Sequence, residues 1–232
     1  TNAGWYYQLP PYTVLGYRNK NNELVNQKNK VSYINVYHLV AGLEYITKFN
    51  MKLNAEGFYK VYIKYPFLVR DSISLANLGG DFGVIGNEEV VSTSKGRSMG
   101  IEVMAQQKLY KGFYGIVTYT FVKSEFMDKN NKYVSSSWDN EHIVNITVGK
   151  SFKHYWDVGI KWRFSKGSPY TPYDFESTRT IANWNVRYMG IFDYNQLNSL
   201  RAKPFHSLDI RVDKKFFWKF LTLNLYVDIQ NV

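Results

Sequence analysis

Apolar and polar side chains alternate strictly through residues 221–230, with Leu, Val or Ile at every odd position and a polar residue or Tyr at every even one. That period marks a β-strand whose two faces meet different surroundings. The same pattern runs through 207–213, 156–165, 144–148 and 51–65, and more weakly through 101–106, 115–121 and 39–45. Together these runs predict about eight strands, most of about ten residues, longer than the five or six usual in soluble sheets. No segment carries a helical period.

The spacing of the strands adds a second regularity. Connections around 48–50, 111–112, 153–154 and 218–219 are very short, whereas those spanning 67–97, 125–141 and 166–204 are long. Short and long alternate, so tight turns lie at one end of an antiparallel meander and long loops at the other. This is the arrangement of an outer-membrane β-barrel. Aromatics crowd the short-turn end: Phe49, Tyr110, Phe113, Tyr155, Trp156, Phe216, Phe217, Trp218 and Phe220. Rings of this kind favour the headgroup level of a bilayer. The expected fold is therefore all-β, a meander of about eight strands forming part of a transmembrane barrel. A soluble β-sandwich or lectin-like binding module is the alternative, with the same aromatics closing one end of a core.

The two expected faces differ in chemistry. Leu208, Ile210, Val212, Leu221, Leu223, Leu225, Val227 and Ile229 would face acyl chains, continuing onto Trp156, Val158, Ile160, Trp162 and Phe164. Asp209, Arg211, Asp213, Asn224 and Asp228 would face a wet lumen as a polar network, together with Lys161 and Arg163. A charge on the lipid face near mid-membrane costs about 2–4 kcal/mol, so this segregation is expected of a barrel.

Composition removes several other classes. The 232 residues include no Cys, which excludes a disulfide scaffold, a thiolate metal site and a cysteine nucleophile. At 18% aromatic the chain is too rich in large apolar side chains to be disordered. The net charge of +10 invites a nucleic-acid reading, but the basic residues are dispersed. Lys48, Lys52, Lys108, Lys111, Lys150, Lys153, Lys214, Lys215 and Lys219 flank the short turns, where they can meet headgroup phosphates. No nucleic-acid partner is expected.

Catalytic and metal chemistry find little support. His38, His142, His154 and His206 are scattered, without ligand spacing, and His142 and His206 are expected to make structural hydrogen bonds. The glycine-rich stretch Gly79-Gly80-Asp81-Phe82-Gly83 with Gly86 lacks the Lys-Ser/Thr of a phosphate loop. Asp209, Arg211 and Asp213, alternate residues on one face, suit a salt-bridge network better than an acid–base pair. No residue stands out to make the chain an outer-membrane hydrolase. No enzyme activity, cofactor or metal is expected. The long loops carry the ligand-contact candidates Trp138, Asp139, Tyr170, Tyr173 and Trp184, with Asp174, Arg187 and Tyr188 nearby.

Four stretches, in order, carry a family resemblance. They are Lys95-Gly96-Arg97-Ser98-Met99-Gly100-Ile101-Glu102, Ser137-Trp138-Asp139-Asn140-Glu141-His142, the run Phe205-His206-Ser207-Leu208-Asp209-Ile210-Arg211-Val212-Asp213-Lys214, and Leu225-Tyr226-Val227-Asp228-Ile229-Gln230-Asn231-Val232. The first is similar to a "G-x-x-x-G-x-E" strand opening and the second to a "W-D-x-x-H" junction between loop and strand. The chain thus resembles the C-terminal part of the barrel of TonB-dependent outer-membrane receptors over nearly its whole length. The resemblance implies import of a scarce nutrient, such as a metal chelate, vitamin or glycan, into a Gram-negative cell. It also implies outer-membrane lipid and the TonB energy-coupling system acting through a plug as partners, and leaves open whether a surface lipoprotein caps the mouth. The expectation is that residues 1–232 are a partial barrel domain, lacking that plug and flanking strands. Residues 1–35 are expected to supply the top of an earlier strand and a long surface loop.

Overall fold

The structure, a computed structural model, describes residues 1–78, 86–187 and 190–232, with backbone alone at 186–187. The glycine-rich stretch at 79–83, Tyr188 and the Arg187 side chain lie outside the described residues. Nine strands follow one another as an antiparallel meander: β1 (Asn2–Gln8), β2 (Ile34–Ile46), β3 (Met51–Leu68), β4 (Val90–Tyr110), β5 (Phe113–Met127), β6 (Glu141–Phe152), β7 (Trp156–Ser165), β8 (Phe205–Phe217) and β9 (Thr222–Ile229). Short strands Ile73–Ser74 and Tyr133–Ser135 pair onto β3 and β5, and a separate ribbon joins Pro169–Tyr170 to Leu200–Arg201.

The alternating runs of the sequence all become strands, and β1 is a ninth, with Trp5 opposite Tyr37. β4 begins at Val90, well before its apolar run, because Gly96, Ser98 and Gly100 interrupt the apolar pattern without breaking the ladder. Short helices do form, at Tyr12–Leu15, Val25–Lys28, Phe175–Thr178 and Ile181–Arg187. All lie in long connections and are too short to show a period.

Turn chemistry fixes the tight end. Lys111 and Gly112 both have positive φ, 50° and 82°, as a two-residue hairpin loop between twisted strands requires. A Cβ at Gly112 would also meet the Ser151 carbonyl, so glycine is needed there twice over. At the preceding hairpin, Thr47 Oγ1 accepts from the Phe49 and Met51 amides while Asn50 takes the left-handed conformation.

Register then sorts the faces across the whole sheet. One row of cross-strand partners reads Leu43, Ala55, Val103, Tyr119, Val144 and Phe164. The row beside it reads Glu44, Asn54, Met104, Thr118, Asn145 and Arg163. Further along, Val148, Ile160, Ile210 and Ile229 form an aliphatic row, while Lys161 sits opposite Asp209. A one-residue slip would exchange the faces everywhere, so the apolar face itself holds the register.

No second sheet covers that face among the described residues. Ile101 is 54% exposed, Ile160 41% and Val227 63%. This is the opposite of a sandwich, whose inner positions would be buried. Its vertical extent suits a bilayer. From Phe113 to Lys123 on β5 is about 33 Å of strand, which at a tilt of about 40° spans about 25 Å, the height of a barrel's apolar band. The predicted short-turn girdle is present: Phe49 packs on Tyr110 with centroids 5.5 Å apart, and Tyr155 on Phe217 at 4.7 Å. Lys150 and Lys214 lay their ammonium groups over Phe113 and Trp156, the posture of interfacial lysines whose stems follow apolar surface. On the long-loop side the apolar face ends in Trp5 stacked on Tyr37 and in the ion pairs of Arg97 and Lys123 with Glu125.

Candidate ligand-binding mouth

The densest packing lies above the strands. Val14, Leu68, Ile73, Leu75, Val90 and Leu197 form a buried cluster drawn from three long connections and the strand ends they leave. β4, at 21 residues, exceeds the nine to eleven that cross a bilayer, so its upper half is free to carry this layer. The layer leans over the polar face: Phe126, on the same side of the sheet as Tyr62 by register, packs against Tyr62, Tyr65 and Trp138.

Loops carry backbone groups with no ladder to satisfy them, and here buried amides do so. Asn26, fully buried, donates to the carbonyls of Val14 and Glu88 and accepts from the Val90 amide, at 2.7–2.9 Å. Asn198 donates to the carbonyls of Asn77 and Ser135, 2.9 and 2.8 Å away, joining three loops at one point. Asp139 is fully buried; its carboxylate accepts from the Ser124 amide and pairs with Arg201 at 2.9 Å. Arg201 also donates to the Asp139 carbonyl and pairs with Glu141, which in turn meets Lys166.

Between these loops lies a groove of about 290 Å³. Tyr170, Tyr173, Phe192, Tyr194, Pro169 and Leu78 give it an apolar lining, and Asn77, Thr171 and Asn198 its polar groups. Tyr173 and Phe192 stack at 4.9 Å with their planes 17° apart. Ligand sites of this kind are mostly apolar, with a few polar groups that fix orientation.

The ligand-contact candidates therefore separate. Tyr170 and Tyr173 meet at the groove. Trp184 is half exposed on the helix Ile181–Arg187, outside the groove lining. Trp138 is 47% exposed and packs edge-on against Phe126. Asp139 departs from the expectation of a contact residue: with no exposed surface and its oxygens taken by Arg201 and Ser124, it holds the loops together. Asp174, just beyond the groove, caps the helix Phe175–Thr178; the Ser177 hydroxyl, and then its amide, hold the Asp174 carboxyl below the usual range.

The polar network divides likewise. Arg211 and Asp213 pair at 2.8 Å, Asn224 donates to the same carboxylate, and the guanidinium lies 4.0 Å from the Tyr226 ring centroid. Asp209 instead accepts from Ser207 and the Asn231 amide, and Asp228 from Gln230. His142 shares a hydrogen bond with the Tyr119 hydroxyl at 3.0 Å. Among the described residues no three His, Asp or Glu side chains converge as metal ligands.

Asn26, Asn77, Asn198 and Arg201 carried no warning in the sequence. Asparagine is the ordinary residue of loops, and Arg201 finds Asp139 only across 62 residues of chain.

A single-layer antiparallel meander, apolar outside, polar inside and capped by long loops at one end, is a section of barrel wall. Comparison with solved structures agrees. The copper transporter OprC matches 99% of this chain at a TM-score of 0.60 and 13% identity, using 30% of its own length. A chain of the FpvAI–pyocin S2 complex matches 99% at 0.63 and 15% identity, using 26% of its length. The FrpB iron transporter from Neisseria meningitidis matches 85% at 0.53 and 14% identity, using 27%. All three are TonB-dependent receptors, and what they share with this chain is the fold. The chain spans less than a third of their length. No protein-family model and no curated protein sequence matches it.

Proposed function

We propose that this chain is part of the wall and mouth of an outer-membrane receptor whose complete barrel binds a scarce nutrient and imports it with energy from the TonB system. The plug that would receive that energy lies outside these residues, and the transport step belongs to the complete protein. The observation that carries the reading is the uncovered apolar face running across nine strands beneath a well-packed loop layer. In water such a face would drive aggregation, and both edge strands would offer unpaired backbone groups. In a bilayer the face is solvated by acyl chains, and further strands would complete the ladder. The loop layer, with its buried apolar cluster and its exposed tyrosines, is where a ligand from outside the cell would first be held.

The test is spin labelling of the full-length protein in bilayers at Val212 and Leu223. Both labels should be relaxed by oxygen dissolved in the acyl region and shielded from a water-soluble relaxant. Labels at Arg211 and Asn224, one residue away on each strand, should show the reverse. Aqueous or protein-packed environments at Val212 and Leu223 would exclude a membrane role for this face.

A further inference from the structure

We propose that the uncovered face carries a specific site for a lipid with several acyl chains and a phosphorylated sugar head, seated where β2 to β5 approach the long-loop end. The inference rests on the receptor reading, which puts this face in a bilayer with the long loops outside the cell.

The first observation is a shallow apolar groove of about 410 Å³ on that face. Two rows of cross-strand partners build it. Ala41, Gly57, Ile101 and Phe121 form one, and Leu39, Tyr59 and Met99 the next, which ends on Lys123. Ala41 and Gly57 leave the hollow between larger neighbours, and a Cβ at Gly57 would meet nothing nearer than the Gly100 carbonyl at 3.9 Å. Four strands spaced about 4.8 Å apart make the groove about 14 Å wide, room for several acyl chains side by side.

The second observation is the charge directly above it. The following row reads Tyr37, Val61, Arg97 and Glu125. Glu125 pairs with Arg97 at 2.7 Å and with Lys123 at 3.1 Å, yet its side chain is only 9% exposed, whereas theirs are 34% and 43% exposed. The carboxylate is tucked away and the cations face outward. One acid does not neutralise both, and Lys95, exposed two residues beyond Arg97 on β4, adds a third positive charge. Arg97 also lies 4.1 Å from the Tyr133 ring centroid, so little of its freedom remains to be lost on binding. Guanidinium and ammonium groups held in this way are suited to phosphate.

These features select among lipids. Acyl chains are as apolar as the groove, so the groove contributes fit and the head contributes preference. Three cations around one carboxylate favour a head with more than one negative charge, and the width of the groove favours more chains than a phospholipid carries. Beside Lys95, a recess of about 320 Å³ lined by Ser72, Thr93, Asp128, Lys129 and Asn131 offers hydroxyl, amide and charged groups to a phosphorylated sugar.

The test uses the full-length protein purified from outer membranes, delipidated in detergent and examined by native mass spectrometry with diphosphorylated lipid A and phosphatidylglycerol as competing probes. One lipid A should be retained, in preference to phosphatidylglycerol by about tenfold or more. Lys95→Ala/Lys123→Ala, which leaves Glu125 paired with Arg97, should weaken retention about tenfold or more. Gly57→Phe, which fills the groove, should do the same. Lys60→Ala/Lys161→Ala removes two charges from the polar face and should leave retention unchanged. Absence of retained lipid A, equal retention of phosphatidylglycerol, retention indifferent to both the lysine and the glycine variants, or a dimer that Gly57→Phe dissociates would each overturn the assignment. The spin labels separate the two proposals: acyl contact at Val212 and Leu223 without retained lipid A ends the lipid site and leaves the receptor reading standing.

Discussion

Replacing Arg201 is the sharpest perturbation of the mouth. Its guanidinium neutralises Asp139, which has no exposed surface, and it bonds to the carbonyls of Asp139 and Gly167 besides pairing with Glu141. Arg201→Ala leaves the Asp139 carboxylate with the Ser124 amide as its remaining hydrogen-bond donor. Stranding a buried charge costs about 3–5 kcal/mol. Arg201 and Glu141 keep 24% and 22% side-chain exposure, so water offsets part of that, and about 2–4 kcal/mol is expected. The loss falls on local opening of the 128–140 and 166–204 connections, because the ladders of β3 to β6 below do not involve Arg201. At 1.36 kcal/mol per factor of ten, amide exchange in those connections should speed up about 30- to 900-fold, with strand amides unchanged. The measurement is hydrogen–deuterium exchange on the full-length protein in detergent or nanodiscs. Asp139→Asn supplies the control: it should partly rescue Arg201→Ala, since the amide keeps an acceptor for Ser124 and removes the stranded charge. Exchange that stays within a factor of three of wild type, or a double variant worse than either single one, would refute this account of the loop layer.

Other outcomes follow from the same geometry. Ile160→Lys, on the uncovered face, should destabilise the barrel in lipid by about 2–4 kcal/mol by denaturant titration, whereas Thr118→Lys on the polar face should cost under about 1 kcal/mol. Asn26→Ala strips two carbonyls and an amide of their buried partner; opening of the 9–33 and 69–89 connections by about 2–4 kcal/mol should appear as protease nicking there first. Gly167→Ala would drive a Cβ into the Ala202 backbone and should separate the Pro169–Tyr170 ribbon from Leu200–Arg201, abolishing the groove. Because the folded Asp174 carboxyl is held below its ordinary value of about 4, its cap contributes fully above that pH and fades as pH falls through the lower, folded value. The exchange difference between wild type and Asp174→Ala in residues 175–178 should therefore be full at pH 5 and shrink toward pH 2.

The sequence by itself determined the wall. Alternation through 221–230 or 156–165 is a local property with a fixed period of two, so the strand and the apolar or polar character of each face follow from neighbours along the chain. The positions of the short turns followed too, since Lys111-Gly112 and Asn50 declare their backbone demands locally. The full reach of β4 stayed hidden, because glycines and serines at Gly96, Ser98 and Gly100 pair in a ladder without leaving an apolar signature. Only the tertiary structure decided the mouth. Whether Asp139 meets a ligand or Arg201, and whether Tyr170 and Tyr173 share a groove with Asn77, depends on contacts that close over 60 to 120 residues of chain. Such contacts have no period and are written in side chains that any loop employs. They exist because loop backbone buried above a barrel must find hydrogen-bond partners wherever the fold brings them.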